Sequence, residues 1–268
     1  MKKNRMMRVA SVLLVAVLLT TSAISGTFAK YVTKTSANDT ARVAKWGVTL
    51  ATGGTLFGTT YQKHDTTDSA IPNTITNTVV VDSSGNIIVA PGTSSNDLND
   101  GTATYKGLNF SVTGTPEVAV KVSFSVADGW KDIVLPAAEG YTDYTTYPTT
   151  GTFNVAADYH PLKFTLCDKN NTPITGCSNV PLETIVNYLN GTSSDLYFPA
   201  NTDLATALGT YTLYWKWDFS VDDTTDKYDT FLGQRAALGT SVSLPEAATS
   251  TFSNEVNIAI TVTVTQID

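Results

Sequence analysis

Two histidines, His64 and His160, supply all the imidazole available for acid–base or metal chemistry in this 268-residue chain. His64 lies in a polar loop, and His160 directly precedes Pro161. The sequence contains no His-Glu-x-x-His zinc motif, no Gly-x-Ser-x-Gly nucleophile elbow and no glycine-rich phosphate loop. A dispersed Ser-His-Asp triad or a glycosidase carboxylate pair stays open, because both are spatial arrangements. We interpret both histidines as ordinary surface residues and expect that the protein is not an enzyme.

The densest group of acidic residues follows an aromatic strand that ends at Phe219. Carboxylates clustered on a loop suit calcium, which takes about six to eight oxygen ligands, although the spacing is not that of an EF-hand. A structural calcium ion is therefore the one cofactor that the sequence suggests, and a solvated turn between two strands is the alternative. The candidate ligands are Asp222, Asp223, Asp226 and Asp229.

The two cysteines, Cys167 and Cys177, flank a turn-forming stretch, Asp168–Pro173. Apolar residues alternate just before Cys167, which predicts a strand leading into a hairpin. A hairpin would bring the two sulfurs within reach, so we predict a disulfide worth about 2–3 kcal/mol, with free thiols as the alternative. Two cysteines with no second ligand pair make a poor zinc site.

The aromatic strand offers a surface for stacking against sugars. Trp215 and Trp217 alternate in phase with Leu213 and Phe219, which predicts that both tryptophans are core residues. A carbohydrate platform would then have to use Tyr211 and Tyr214, which is a weaker arrangement.

Composition indicates that strands position these residues. Charged residues make up 15% of the chain, against about 25% in a typical soluble domain, and 45 threonines supply much of the polar surface. Threonine is β-branched, which suits a pleated sheet better than a helix. The composition therefore excludes a helical bundle, a coiled coil and a TIM barrel.

Clean alternation of apolar and polar residues predicts the main strands. They are expected at 118–126, 212–219 and 256–265, with shorter ones at 46–50, 74–81, 86–90 and 108–112. This pattern predicts an all-β fold, an antiparallel jelly roll or β-sandwich. One short helix is expected at 181–189, with Ser178 or Asn179 as its N-cap, inside an elaborated insertion at about 127–210.

The N-terminus has the pattern of a secretory signal peptide. Four basic residues precede an apolar run at 9–19, and small residues follow up to Ala29. A transmembrane helix is the alternative, but the run is shorter than the roughly 18 apolar residues of a span. Cleavage between Ala29 and Lys30 removes those four basic residues and leaves 13 against 24 acidic ones, a net charge of −11. We therefore expect a secreted protein that has no membrane span after cleavage and does not bind nucleic acid.

The segment around the cleavage site also carries a family resemblance. Gly26-Thr27-Phe28-Ala29 runs into Lys30-Tyr31-Val32 and then into Ser36–Val48. With Leu108–Val126, Tyr228–Gly233 and the C-terminal strand, this order of motifs resembles the TasA/camelysin (CalY)-like family of secreted bacterial biofilm-matrix fibre proteins. The resemblance covers about half of the chain, and 127–210 departs from it. It implies a SipW-type signal peptide that a dedicated signal peptidase removes.

The resemblance implies a jelly-roll subunit of an extracellular filament that assembles by donor-strand exchange. Residues 30–45 are the candidate donor, and 46–268 are the expected jelly-roll domain. Its implied partners are copies of itself and an accessory or anchor protein. The donor could instead be the first strand of its own sheet. The residues expected to anchor assembly are Tyr31, Val32, Val43 and Trp46.

Two other functions stay open. One is a monomeric cell-surface module that binds carbohydrate or a host ligand. The other is a secreted hydrolase or metalloprotease, which is disfavoured because neither histidine has the spacing of a zinc site.

Overall fold

The computed structural model describes residues 42–57, 60–61, 79–80, 87–95, 107–144, 151–218, 222–238, 242–246 and 250–267. The chain divides into an N-terminal unit, Met1–Val43, and a compact unit, Ala44–Asp268, which contains every strand and helix of these ranges. Within the same ranges, no helix has the length and apolar character needed to cross a membrane.

The compact unit is built mainly from strands. They are β1 (Val48–Gly53), β2 (Thr60–Tyr61), β3 (Val79–Val80), β4 (Leu108–Gly114), β5 (Val120–Val126), β6 (Ala138–Thr142), β7 (Thr152–Val155), β8 (Leu162–Cys167), β9 (Leu196–Phe198), β10 (Thr210–Trp217) and β11 (Ile260–Gln266). The helices are α1 (Leu182–Asn190), α2 (Leu204–Ala207) and α3 (Asp223–Leu238), with a 3-10 helix at Thr192–Ser194.

All strand pairs of the described residues are antiparallel. One sheet has the order β1-β4-β10-β8 and a second has the order β11-β5-β9, while β2 with β3 and β6 with β7 form two-stranded pairs. The prediction of an all-β, antiparallel fold is confirmed at this level.

Alternation along the longest strands places their apolar face in the core. In β5, Val120, Val122, Phe124 and Val126 are buried, and in β10 both Trp215 and Trp217 are buried. The prediction that these tryptophans are core residues is therefore confirmed. The two main sheets meet through aromatic rings: the ring of Phe124 in the smaller sheet lies 5.4 Å, centroid to centroid, from those of Phe110 and Tyr211 in the larger sheet.

A close approach of two glycines fixes the start of β1. Gly114 has φ of +113° and lies opposite Val48, and a Cβ at Gly114 would overlap the carbonyl oxygen of Gly47. Just before Gly47, the backbone N–H of Lys45 donates to the Glu117 carboxylate at 2.8 Å, and the Glu117 N–H donates to the Lys45 carbonyl at 3.0 Å. These contacts hold the chain against the β4–β5 turn as it enters the sheet.

The helix predicted at 181–189 is confirmed as α1. Its four buried residues are the ones at helical spacing, Leu182, Ile185, Val186 and Leu189. The proposed N-caps Ser178 and Asn179 are wrong, because the helix begins after Pro181. The Leu182 N–H instead donates to the Asp132 carboxylate at 3.3 Å, from a different part of the chain.

The acidic stretch predicted to be a loop is the first part of α3, so that prediction is wrong. The Asp222 carboxylate accepts hydrogen bonds from the backbone N–H groups of Thr224 and Thr225, at 2.9 and 2.8 Å. This is the arrangement of an N-cap residue. Asp223 and Asp226 then lie in the first turn, where the helix dipole favours negative charge.

The predicted disulfide is not formed: Cys167 and Cys177 are both free and buried. The hairpin itself exists, but the two cysteines are not paired directly opposite each other in it. Cys167 lies opposite Pro173, while the Leu166 N–H donates to the Cys177 carbonyl at 2.9 Å. Neighbouring residues of a strand point to opposite faces. Cys177 accordingly packs in the main core cluster, whereas the Cys167 thiol bonds to the Tyr214 side chain.

The stretch 127–210 contributes to both main sheets, β8 to the larger and β9 to the smaller. Sequence patterns did not predict β6, β7 or β9. The prediction of a strand at 86–90 is wrong for residues 87–90, the part of it that the structure describes, because they have no regular structure. The chain pairs only beyond them, where the Gly92 N–H donates to the Trp217 carbonyl at 2.9 Å.

Candidate functional site

A pocket of about 660 Å³ opens where four chain segments meet. The segment after β5 is bonded to the segment before β11, since the Lys131 N–H donates to Asn257 and the Val134 N–H donates to Ser253, both at 2.9 Å. Two backbone bonds between Leu135 and Tyr159 add the segment that follows β7, and the first turn of α1 closes the pocket. Because backbone bonds hold the walls, the pocket is preformed.

His160 and Asp132 form the most structured pair in this pocket. His160 Nδ1 lies 2.9 Å from Oδ2 of Asp132, whose side chain is almost fully buried. The same carboxylate accepts the backbone N–H of Ile133 at 2.9 Å and that of Leu182. A carboxylate accepts hydrogen bonds, so a neutral His160 places its proton on Nδ1 and leaves Nε2 as an acceptor. The interpretation of His160 as an ordinary surface residue is wrong.

The other acidic residues of the pocket are placed differently. Glu255 pairs with Lys131. Asp158 accepts the Ala137 N–H at 2.8 Å, and within the described ranges neither Asp158 nor Glu183 has a cationic partner. The pocket therefore carries an excess of negative charge.

Two aromatic side chains, Trp130 and Phe252, form the apolar part of the lining. The Arg235 guanidinium lies over the Phe252 ring, 4.9 Å from its centroid. Of the nearby hydroxyls, Ser253 is engaged in a local turn, in which it donates to the Glu255 carbonyl at 3.1 Å. The pocket can therefore surround a ligand with the acceptor nitrogen of a neutral His160 and with carboxylate oxygens, and the Trp130 and Phe252 rings lie beside them.

A second feature is the outer edge of the larger sheet. Leu50 in β1 is paired directly with Val112 in β4, so both side chains are on the same face of the sheet. Val112 is 0% exposed, yet Leu50 is 49% exposed. In the described part of the chain β1 has β4 as its only neighbour. The core-facing side of this edge is thus partly uncovered.

A third feature is the buried carboxylate of Asp229 in α3. Its Oδ1 accepts from the Tyr159 hydroxyl at 2.8 Å and from Trp217 Nε1 at 3.1 Å, while Oδ2 is buried and has no hydrogen-bond partner among the described residues. Burial raises the pKa of Asp229 to about 6. Burial and the neighbouring Asp229 carboxylate also raise the pKa of Tyr159.

The residues predicted to bind calcium do not converge on one point. Asp222 caps the helix, and Asp229, about two turns further along α3, bonds to the side chains of Tyr159 and Trp217. Among the described residues, no three His, Cys, Asp or Glu side chains form a group that could hold a metal ion.

The predicted assembly residues are only partly described. Tyr31 and Val32, the cleavage pair Ala29 and Lys30, and His64 lie outside the described residues. Val43 is 92% exposed, and Trp46, on the irregular stretch that enters β1, is 41% exposed. Of the two tyrosines considered for sugar stacking, Tyr211 packs against the core rings Phe110 and Phe124.

Sequence reasoning missed Asp132, and it named Asp229 only as a calcium candidate and not as the buried partner of Tyr159 and Trp217. One signal was available for Asp132, which directly precedes the apolar run Ile133–Leu135. A carboxylate beside such a run is either exposed at its end or buried with partners. No comparable signal marks Asp229 among the acidic residues around it.

Comparison with known proteins gives no match to a family model, to a curated protein or to a solved structure.

Proposed function

We propose that the protein is a structural, non-catalytic subunit of an extracellular filament, built on a β-sandwich of the jelly-roll type. In this proposal a strand from one copy adds to the sheet edge at β1 of another. The observation that carries it is the half-exposed Leu50 beside the fully buried Val112.

An edge strand presents unpaired backbone groups, which makes it a template for another chain. Most proteins blunt such an edge with charge or proline, but β1 reads Val-Thr-Leu-Ala-Thr-Gly and contains neither. An added strand would pair with this backbone, and its inward side chains would cover Leu50. Full burial of a leucine contributes about 2 kcal/mol relative to exposure, so covering half of it would favour association.

The proposed donor is the segment 30–45 of another copy, freed when the signal peptide is removed. It contains no glycine or proline, and valine and threonine recur in it, which suits an extended strand. Because each copy would donate at one site and accept at another, the contact does not close and a filament grows. The resemblance to biofilm fibre proteins supports the same proposal, as does the exported, acidic chain that the signal peptide implies.

The test compares two matched variants of the secreted protein, Leu50→Asp and Thr49→Asp. Both add one charge to β1, but Leu50 is on the core-facing side and Thr49, opposite Thr113, is on the other side. We expect Leu50→Asp to abolish filaments in electron micrographs and sedimentable polymer, and Thr49→Asp to retain more of both. Thermal unfolding of the monomer should change little in either variant, because both side chains are already exposed.

Removal of residues 30–45 gives the second arm of the test. A variant that lacks this segment and still forms filaments would show that it is not the donor. Polymerisation of Leu50→Asp at the unaltered level would remove the β1 edge from the assembly mechanism.

A further inference from the structure

The pocket between the segment after β5 and the segment before β11 is lined by no residue of β1 and has no part in the filament proposal. It has about 660 Å³ of space, within the range of about 300–1,000 Å³ typical of small-molecule sites. Its walls are held by the backbone bonds of Lys131, Val134 and Leu135, so a ligand would meet a preformed surface. We propose that this pocket binds a ligand through a guanidinium or ammonium group.

The first argument is the type of polar atom that the pocket presents. Asp132 accepts hydrogen bonds from His160 and from two backbone N–H groups, and the Nε2 of a neutral His160 is then an acceptor. Asp158 and Glu183 add carboxylate oxygens, which are also acceptors. A set of acceptors is matched by a ligand rich in N–H donors, and guanidinium and ammonium groups carry donors only.

The second argument is charge. Four carboxylates line the pocket, and the one lysine, Lys131, is paired with Glu255. Asp158 and Glu183 are left without a cation from the described part of the chain. A ligand cation would gain charge-assisted hydrogen bonds there, which are about twice as strong as neutral ones. A neutral sugar would leave that excess charge uncompensated.

The third argument is the aromatic surface. Trp130 and Phe252 both line the pocket, and aromatic faces attract cations. The protein uses this interaction within its own fold, since the Arg235 guanidinium already lies over Phe252. Trp130 offers a second ring beside the acidic residues.

The test titrates the secreted protein with two isosteric probes, N-acetyl-argininamide and N-acetyl-citrullinamide, by calorimetry or NMR. The citrulline probe has the same shape but no charge. We expect saturable binding of the arginine probe and at least tenfold weaker binding of the citrulline probe. Equal binding of the two probes, or no binding of the arginine probe at millimolar concentration, would overturn the proposal. Saturable binding of a neutral N-acetylglucosamine trisaccharide without binding of the arginine probe would also overturn it.

Variants localise the site. Glu183→Gln and Asp158→Asn each remove one charge and keep an oxygen acceptor, so each should weaken binding of the arginine probe about tenfold. Glu139→Gln is the matched control, because Glu139 is an exposed residue of β6 that does not line the pocket. Equal affinities for Glu183→Gln, Asp158→Asn and the control would place binding elsewhere and contradict the proposal.

One further arm identifies the source of the cation. Spermidine represents a soluble polyamine, and the arginine probe represents a basic side chain of a protein. Tighter binding of spermidine assigns the pocket to polyamines, and tighter binding of the arginine probe assigns it to a basic protein segment; both results support a cation site.

Discussion

The Tyr159 hydroxyl donates to Oδ1 of Asp229 across 2.8 Å, while Oδ2 of the same carboxylate is buried with no partner in the part of the chain that the structure describes. Tyr159 comes from the segment that follows β7, and Asp229 comes from α3, so this bond joins the helix to the body of the fold. Trp217 Nε1 donates to the same oxygen from the end of β10. Two donors on one oxygen leave the other uncompensated, and this explains why burial outweighs hydrogen bonding in the effect on the pKa of Asp229.

The raised pKa of Asp229 makes folding stability depend on pH in a defined direction. The group has a pKa of about 6 in the folded protein and an ordinary value of 3.8, so the folded state binds the proton more tightly. The stability from this group is complete below pH 3.8 and is lost as pH rises through about 6. The shift corresponds to roughly 2–3 kcal/mol, since one pKa unit is about 1.4 kcal/mol.

We therefore expect the wild-type protein to lose about 2–3 kcal/mol of unfolding free energy between pH 4 and pH 7, relative to Asp229→Asn. Other acidic groups titrate in the same window, so the quantity to measure is the difference between the two proteins in urea unfolding at several pH values. Asp223→Asn, at an exposed position of the same helix, should keep the wild-type dependence. If the unfolding free energies of wild type and Asp229→Asn changed with pH in parallel, the raised pKa of Asp229 would be contradicted.

The second prediction concerns Asp132, whose carboxylate bonds to one side chain and to two backbone N–H groups from different parts of the chain. Its carboxylate accepts from His160, from Ile133 and from the first N–H of α1 at Leu182. Asp132→Ala leaves two buried N–H groups without an acceptor, at about 1–3 kcal/mol each. We expect a loss of about 3–4 kcal/mol in unfolding free energy, measured by urea denaturation.

Two comparisons separate this effect from the loss of one ion pair. His160→Ala removes only the imidazole contact and should cost about 1 kcal/mol. Asp128→Ala, at an exposed residue on the same connection, should stay within about 0.5 kcal/mol of wild type. If His160→Ala proved as destabilising as Asp132→Ala, the backbone contacts of Asp132 would not be the source of its stability.

The periodic strands and α1 were predictable because burial on one face leaves a direct trace in sequence. Val120, Val122 and Phe124 alternate with polar residues, and the apolar residues of α1 recur at helical spacing. The helix α3 left no such trace, because its buried residues include Asp229 next to only a few apolar ones, Phe231 and Leu232. Its first turn has the composition of a polar loop. The capping role of Asp222 is evident only from the hydrogen bonds that its carboxylate accepts from Thr224 and Thr225.

The candidate sites were beyond sequence reasoning because they depend on long-range pairing. The pocket joins Lys131 to Asn257, and the Asp132 carboxylate reaches Leu182, 50 residues further along the chain. The register of the hairpin that begins with β8 could not be predicted from the sequence either. Cys167 lies opposite Pro173 and not opposite Cys177, so a correct hairpin prediction led to a wrong disulfide prediction.

The third prediction tests the state of the two cysteines. Because both thiols are free and buried, denatured protein alkylated without reductant should gain two adducts by mass spectrometry. Native protein should react slowly, since burial raises the pKa of both Cys167 and Cys177 and the thiolate is the reactive form. The same alkylation after reduction supplies the control. Denatured, unreduced protein that takes up no adduct would establish a disulfide instead.

The fourth prediction concerns the glycine contact at the entry to β1. Gly114→Ala adds a methyl group that would overlap the Gly47 carbonyl and also strains a backbone with φ of +113°. A clash with backbone cannot be relieved by turning a side chain, so β1 would have to move away from β4. We expect a loss of about 2–4 kcal/mol in unfolding free energy.

Gly233→Ala is the matched control for this substitution, because it adds the same methyl group at a position where no neighbouring atom would contact it. Gly233 is an exposed residue of α3, and a Cβ there meets no atom within 4 Å. Alanine favours a helix by about 0.5–1 kcal/mol over glycine, so this variant should be more stable than wild type in the same denaturation series. A loss of unfolding free energy in Gly114→Ala together with a gain in Gly233→Ala would show that the close approach of Gly114 to Gly47 fixes β1 against β4. A Gly114→Ala variant of wild-type stability would mean that β1 is held only by its strand pairing, and the edge at Leu50 would then be free to shift.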